Sequence, residues 1–220
     1  MRGAIENVRA AIFDLDGTLF DSVNMWHEID GIFLRKRGLE PTEEYKRNIV
    51  ALGFTATAYY TIEYYKLGDT PQTLMDEWAE LARDAYAHTV KLLPGAREYL
   101  DECAAAGIKI AAVTSLCAEF ALSCLNNNRI IDKFIHIFTA DEVGFSKQSP
   151  DIFLHAAKAL AVAPEKCVVF DDAVKAIESA KKAGMTTVAL PGALFKAEDF
   201  SPYADHIVYT LADAPRLSID

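Results

Sequence analysis

The chain is short of several residue types that announce a specialised class. Cysteine is scarce: Cys103, Cys117, Cys124 and Cys167 stand without CxxC spacing or a paired framework. Neither a disulfide scaffold nor a cysteine zinc site is therefore expected, and the four read as reduced, mostly packed thiols. Positive charge is also in deficit, with 22 lysines and arginines against 32 aspartates and glutamates, a formal net charge of −10. That field repels a nucleic-acid backbone or an anionic lipid surface at long range, so any anionic ligand must be held by a local site. No long apolar run is present: residues 108–124, the most apolar stretch, contain Lys109 and Glu119 and are too polar to span a bilayer. The first nine residues lack the apolar stretch of a secretory signal. A cytoplasmic protein that binds neither nucleic acid nor membrane is the expectation. What is abundant is core material. Of the 220 residues 51% are hydrophobic, enough for one large domain or a main domain carrying a smaller one, with a monomer the favoured state.

Apolar runs at residues 10–13, 108–113 (broken only by Lys109) and 167–170 stop at Asp14, at Thr114, and at Asp171 with Asp172. Runs of this kind, rather than alternation, are typical of parallel strands covered on both faces. Further strands are expected over 135–138 and 186–190, with helices over 96–105, 152–160 and 173–182 between them. The alternation predicts an α/β fold with an open parallel sheet, whose ligands bind beyond the carboxyl ends of the strands. Between Asp21 and Leu92 the alternation fails, and four helices are expected instead, over 23–37, 42–52, 57–65 and 73–88. This insert leaves and rejoins the chain at the carboxyl end of the first strand, the position of a lid. The division is thus an α/β core of residues 1–20 and 93–220 and a helical cap of residues 21–92.

The polar strand ends carry the candidate chemistry. Asp14 and Asp16 flank a turn at Gly17, and two carboxylates so spaced can serve an electrophile and its leaving group. Alone, an Asp-Gly pair is an ordinary turn, and Thr114 with Ser115 an ordinary helix cap. Adjacent Asp171 and Asp172 repel each other when both are ionised, so a buried pair needs a cation or a raised pKa. Mg²⁺ would satisfy it, being a small hard ion that prefers carboxylates. With Asp14 and Asp16 a cluster of four carboxylates is expected, and Lys147, ahead of the helix at Pro150, can reach back to offset it and hold a phosphoryl oxygen.

Taken together, Asp14-Leu15-Asp16-Gly17-Thr18, Thr114, Lys147 followed by Pro150-Asp151-Ile152-Phe153, and Asp171-Asp172 resemble the four motifs of the haloacid dehalogenase superfamily, in its helical-cap phosphatase and β-phosphoglucomutase-like branch. The resemblance covers nearly the whole chain and implies a Rossmann-like core with an inserted α-helical cap. It also implies Asp14 as nucleophile, Asp16 as acid and base, Thr114, Ser115 and Lys147 as phosphate ligands, and Mg²⁺ held by Asp14, the main-chain carbonyl of Asp16, Asp171 and Asp172. The substrate implied is a small phosphorylated metabolite. An alkoxide leaving group needs a proton where a halide does not, so Asp16 favours phosphate chemistry over dehalogenation.

Ala173, Ala176 and Gln148 depart from the family's usual residues. More telling, Leu52-Gly53-Phe54-Thr55-Ala56 has no arginine to grip a second phosphate, and Trp26 stands about where a histidine is usual, with His27 next to it. Simple hydrolysis is thus expected over a phosphosugar mutase, with Trp26, His27 and Phe54 as candidate cap contacts. Two further alternatives are a phosphonoacetaldehyde hydrolase, for which Lys36 is the nearest Schiff-base lysine, and a metal-binding scaffold whose catalysis has lapsed. Tyr59, Tyr60, Tyr64 and Tyr65 read as packing of a small helical bundle.

Overall fold

A computed structural model describes residues 2–49, 54–192 and 194–220. Its strands are β1 (Ala4–Ile5), β2 (Ala10–Phe13), β3 (Lys109–Thr114), β4 (His136–Thr139), β5 (Cys167–Asp171), β6 (Thr186–Ala189), β7 (His206–Ile207) and β8 (Arg216–Leu217). Six of them form a wholly parallel sheet in the order β4-β3-β2-β5-β6-β7, while β1 and β8 pair with each other. The central strand β2 is fully buried, because successive side chains enter two different layers. Ala11 and Phe13 face one hydrophobic cluster, Ala10 and Ile12 the other. Helices α5 (Ala96–Ala105) and α6 (Ala118–Asn127) cover the first face, α8 (Pro150–Ala159) and α9 (Val174–Lys182) the second. Phe13 stacks on Phe170 at 4.6 Å with Tyr99 edge-on to both rings, a contact that fixes β2 against β5. Short helices α7 (Ala140–Val143) and α10 (Ala197–Phe200) complete the core.

The register places the polar stops side by side. Phe13 pairs with both Ala112 and Phe170, so Asp14, Thr114 and Asp171 emerge at one edge of three adjacent strands. This is the crevice at which ligands of open α/β sheets bind.

Four helices follow β2: α1 (Val23–Arg35), α2 (Glu43–Ile49), α3 (Phe54–Tyr65) and α4 (Pro71–His88). The part of the expected second helix at 50–52 lies outside the described residues. Trp78 packs edge-on to Phe33, and Tyr45 is surrounded by Tyr60, Tyr64 and Tyr65, which makes those tyrosines bundle packing; Tyr59 faces solvent. The outgoing and returning chains run together. Asp21 N–H donates to Lys91 C=O at 2.9 Å and Leu93 N–H to Leu19 C=O at 2.8 Å, which anchors the helical segment beside the carboxyl end of β2. Among the described residues no helix is long and apolar enough to cross a membrane.

Candidate active site

Asp14 continues β2 by one residue, its N–H donating to Phe170 C=O at 2.9 Å, so its carboxylate is fixed at the sheet edge and almost wholly buried. The loop after it turns back at once: Leu19 and Phe20 N–H groups both donate to Leu15 C=O at 2.9 Å. Gly17 makes this possible, with a φ of +78° that L side chains avoid. It has a second role, since a Cβ there would lie 2.2 Å from Asp172 Oδ2. The missing side chain is the space the Asp172 carboxylate occupies.

Lys147 supplies the positive charge. The loop before α8 is closed by Ser149, whose hydroxyl caps the helix by accepting from Asp151 N–H, and Pro150 at the first helical position. From that loop the Lys147 ammonium donates to Asp14 Oδ1 at 2.6 Å and to Asp171 Oδ2 at 3.0 Å. Burial alone would lower the lysine's pKa; the facing Asp14 and Asp171 charges outweigh it and hold the ammonium protonated. Burial pushes the Asp171 and Asp172 carboxyls up, with the Asp14 charge adding to the rise and Lys147 opposing it. Asp171 Oδ1 also accepts from Ala173 N–H at 2.9 Å. Asp14, Asp171 and Asp172 each offer an oxygen within 4.8 Å of the others. A hard oxygen donor set with excess negative charge fits Mg²⁺.

Of the four expected carboxylates, Asp14, Asp171 and Asp172 have oxygens within 4.8 Å of one another, and Asp16 lies near them without joining that group. The Asp16 side chain is held by Tyr86 of α4, whose hydroxyl donates to Asp16 Oδ2 at 2.7 Å, while Oδ1 is buried and makes no well-aligned hydrogen bond. Burial raises the Asp16 pKa to about 6, the Tyr86 bond opposing the rise and the Asp14 charge adding to it. A carboxyl poised there can carry a proton near neutral pH. Tyr86 is the site residue that sequence reasoning misses. Its spacing with Leu74, Trp78 and Ala82 marks the buried face of α4, and the only clue to more is that a buried tyrosine hydroxyl needs a partner.

On the β3 edge, Thr114 is buried and its hydroxyl accepts from Leu116 N–H at 3.1 Å; Ser115 is exposed beside it. The candidate contacts from the helical segment separate. Trp26 and Phe54 meet edge-on at 5.8 Å, whereas His27 lines an outer groove of α1 with Asp21, Asn24, Glu28 and Arg35. Adjacent helical residues point about 100° apart, which is why His27 and Trp26 cannot share a face. Lys36 is half exposed and paired with Glu77 at 3.0 Å, far from the desolvated state a Schiff-base lysine requires. Cys103, Cys124 and Cys167 are buried and Cys117 is exposed, all as free thiols.

Comparison with known proteins agrees with this geometry. A family model described as haloacid dehalogenase-like hydrolase matches residues 11–190. The phosphorylated carbohydrates phosphatase of Thermotoga maritima is 29% identical over 181 residues, covering 82% of this chain and 84% of that protein. Hexitol phosphatase B of Escherichia coli K12 is 26% identical over 189 residues, covering 84% of each. A crystal structure from Thermotoga maritima whose description names a beta-phosphoglucomutase superposes with a TM-score of 0.84 at 27% identity, covering 91% of this chain and 94% of that one.

Proposed function

The chain belongs to the haloacid dehalogenase-like hydrolases, in their β-phosphoglucomutase-like branch, and from that premise we propose a Mg²⁺-dependent phosphatase that hydrolyses a small phosphomonoester through an aspartyl phosphate on Asp14. The observation that carries this reading is the Lys147 ammonium 2.6 Å from a buried Asp14, with Asp171 and Asp172 closing around them. A carboxylate repels a phosphate dianion, so attack requires a strong local positive charge. Mg²⁺ held by Asp14, Asp171, Asp172 and the main-chain carbonyl of Asp16 would supply the larger share of that charge. Lys147 supplies the rest and, with Thr114 and Ser115, orients the phosphoryl oxygens.

In the first step an Asp14 carboxylate oxygen bonds to phosphorus as the ester P–O bond breaks, and protonated Asp16 gives its proton to the departing alkoxide. The second step reverses the role of Asp16: its carboxylate takes a proton from water, whose oxygen attacks phosphorus, releasing inorganic phosphate and freeing Asp14. A pKa near 6 suits both duties. Residues 21–92 act as the cap over this edge, and the core of residues 1–20 and 93–220 carries the reacting groups. Relatives named as phosphatases of phosphorylated carbohydrates and hexitols support the reaction type.

The test is phosphate release from a panel of phosphorylated metabolites, with Mg²⁺ and with chelator, by wild type and Asp14→Asn. Release that requires Mg²⁺ and is lost in the folded variant is the expected result. Undiminished turnover by Asp14→Asn would remove the nucleophile assignment.

A further inference from the structure

The leaving alcohol of the substrate must sit on the side of the phosphoryl group that faces Asp16, since that carboxyl protonates the departing oxygen. Aromatic side chains crowd that side. Tyr86, which holds Asp16, stacks on Phe120 at 5.2 Å with the ring planes 21° apart. Trp26 lies beside the same tyrosine, meets Phe54 edge-on at 5.8 Å, and Phe54 in turn leans on Trp78 at 5.7 Å. The strip therefore runs from the buried acid outward to Phe54, which is 44% exposed. The Tyr86 hydroxyl is already engaged with Asp16, and the Trp78 indole nitrogen, though without a partner, is buried. The polar residues of α1, Asn24, His27, Glu28 and Arg35, face a separate outer groove.

Resting on the phosphatase reading above, we propose that this aromatic strip selects phosphomonoesters whose alcohol carries a planar, apolar body over esters of polyols. A polyol placed against these rings would leave its hydroxyls without partners, a cost that water does not impose. A planar ring would gain face and edge contacts with Phe54 and Trp26 and exclude water from the departing oxygen.

The experiment compares kcat/KM for benzyl phosphate with that for glycerol 1-phosphate and sorbitol 6-phosphate, all esters of aliphatic hydroxyls, in wild type, Phe54→Ala and Trp26→Leu. Wild type is expected to favour benzyl phosphate by about 10-fold or more, and Phe54→Ala to reduce that ratio by about 10-fold. Phe54 is exposed, so its variant folds even if Trp26→Leu does not. Polyol phosphates cleaved as well as or better than benzyl phosphate, or a ratio unmoved in Phe54→Ala, would overturn the proposal and leave the phosphatase reading standing. Release from none of the esters would overturn both.

Discussion

Replacing Lys147 with methionine keeps most of the side-chain volume and removes the ammonium that faces Asp14 and Asp171. The structure sets the size of the effect. Lys147 is only 11% exposed and makes bonds of 2.6 and 3.0 Å to carboxylates that are themselves 3% and 1% exposed. Deleting one partner of a buried ion pair costs about 3–5 kcal/mol. The carboxyls left behind limit the loss by taking up a proton, which places the cost near 3 kcal/mol, or a fall of ~6–12 °C in Tm for a chain of this length. Its pH dependence follows from linkage. Carboxyls whose folded pKa lies above the unfolded value hold protons that the unfolded chain has released, so the deficit grows as pH rises from about 4 toward 8 and shrinks below it. The account therefore predicts a variant that melts well below wild type in chelator at neutral pH, closes much of that gap at pH 5, and releases phosphate about 10²- to 10³-fold more slowly. Thermal melts at both pH values and a phosphate-release assay with Mg²⁺ supply the readings. A variant as stable as wild type in chelator at neutral pH, with near-normal turnover, would refute the claim that Lys147 offsets the buried charge.

Tyr86→Phe removes the hydrogen bond that orients Asp16 and should slow phosphate release about 10-fold; unchanged turnover would contradict a role for that bond. Gly17→Ala puts a methyl group where Asp172 Oδ2 lies and forces alanine to a φ of +78°, so half-saturation by Mg²⁺ should rise about 10-fold in an activity titration. An unchanged Mg²⁺ requirement would show that Asp172 is not needed in that position. Asp30, in the helical segment, has its pKa raised to about 7 by burial, with Tyr45 opposing the rise. Folded Asp30 holds its proton up to about pH 7 whereas the unfolded chain releases it near 4, so this group costs stability as pH rises through that window; Asp30→Asn should be more stable than wild type by on the order of 3 kcal/mol at pH 8 and equal to it near pH 4. Melting curves across that range check it, and parallel curves for the two proteins would count against it.

The sheet is legible in the sequence because its central parallel strands, buried on both faces, are almost entirely apolar. Residues 10–13 stand in the structure with the bounds the pattern predicts, and the polar residues ending the runs, Asp14, Thr114 and Asp171, are buried at the carboxyl ends of their strands. Helix α6 is not legible. Phe120, Ala121, Cys124 and Leu125 extend the apolar stretch that begins in β3, and Cys117 ahead of them offers no side-chain cap bond to signal a start. The site is legible as residue types at strand ends, but not as orientations. That the Asp16 carboxyl is held by a hydroxyl depends on Tyr86, 70 positions later, and no spacing within either stretch encodes that contact. His27 and Trp26 are likewise equivalent as neighbours in sequence until the helix face toward Phe54 is known.

The claim beneath all of this is that Asp14 receives the phosphoryl group. Borohydride added during steady-state turnover reduces an acyl phosphate at its carbonyl carbon, and peptide mass spectrometry then reads the product at a single residue. The account predicts homoserine in place of Asp14, absent without substrate and absent in Asp14→Asn. Continued phosphate release with Asp14 unmodified and another carboxylate reduced instead would contradict it.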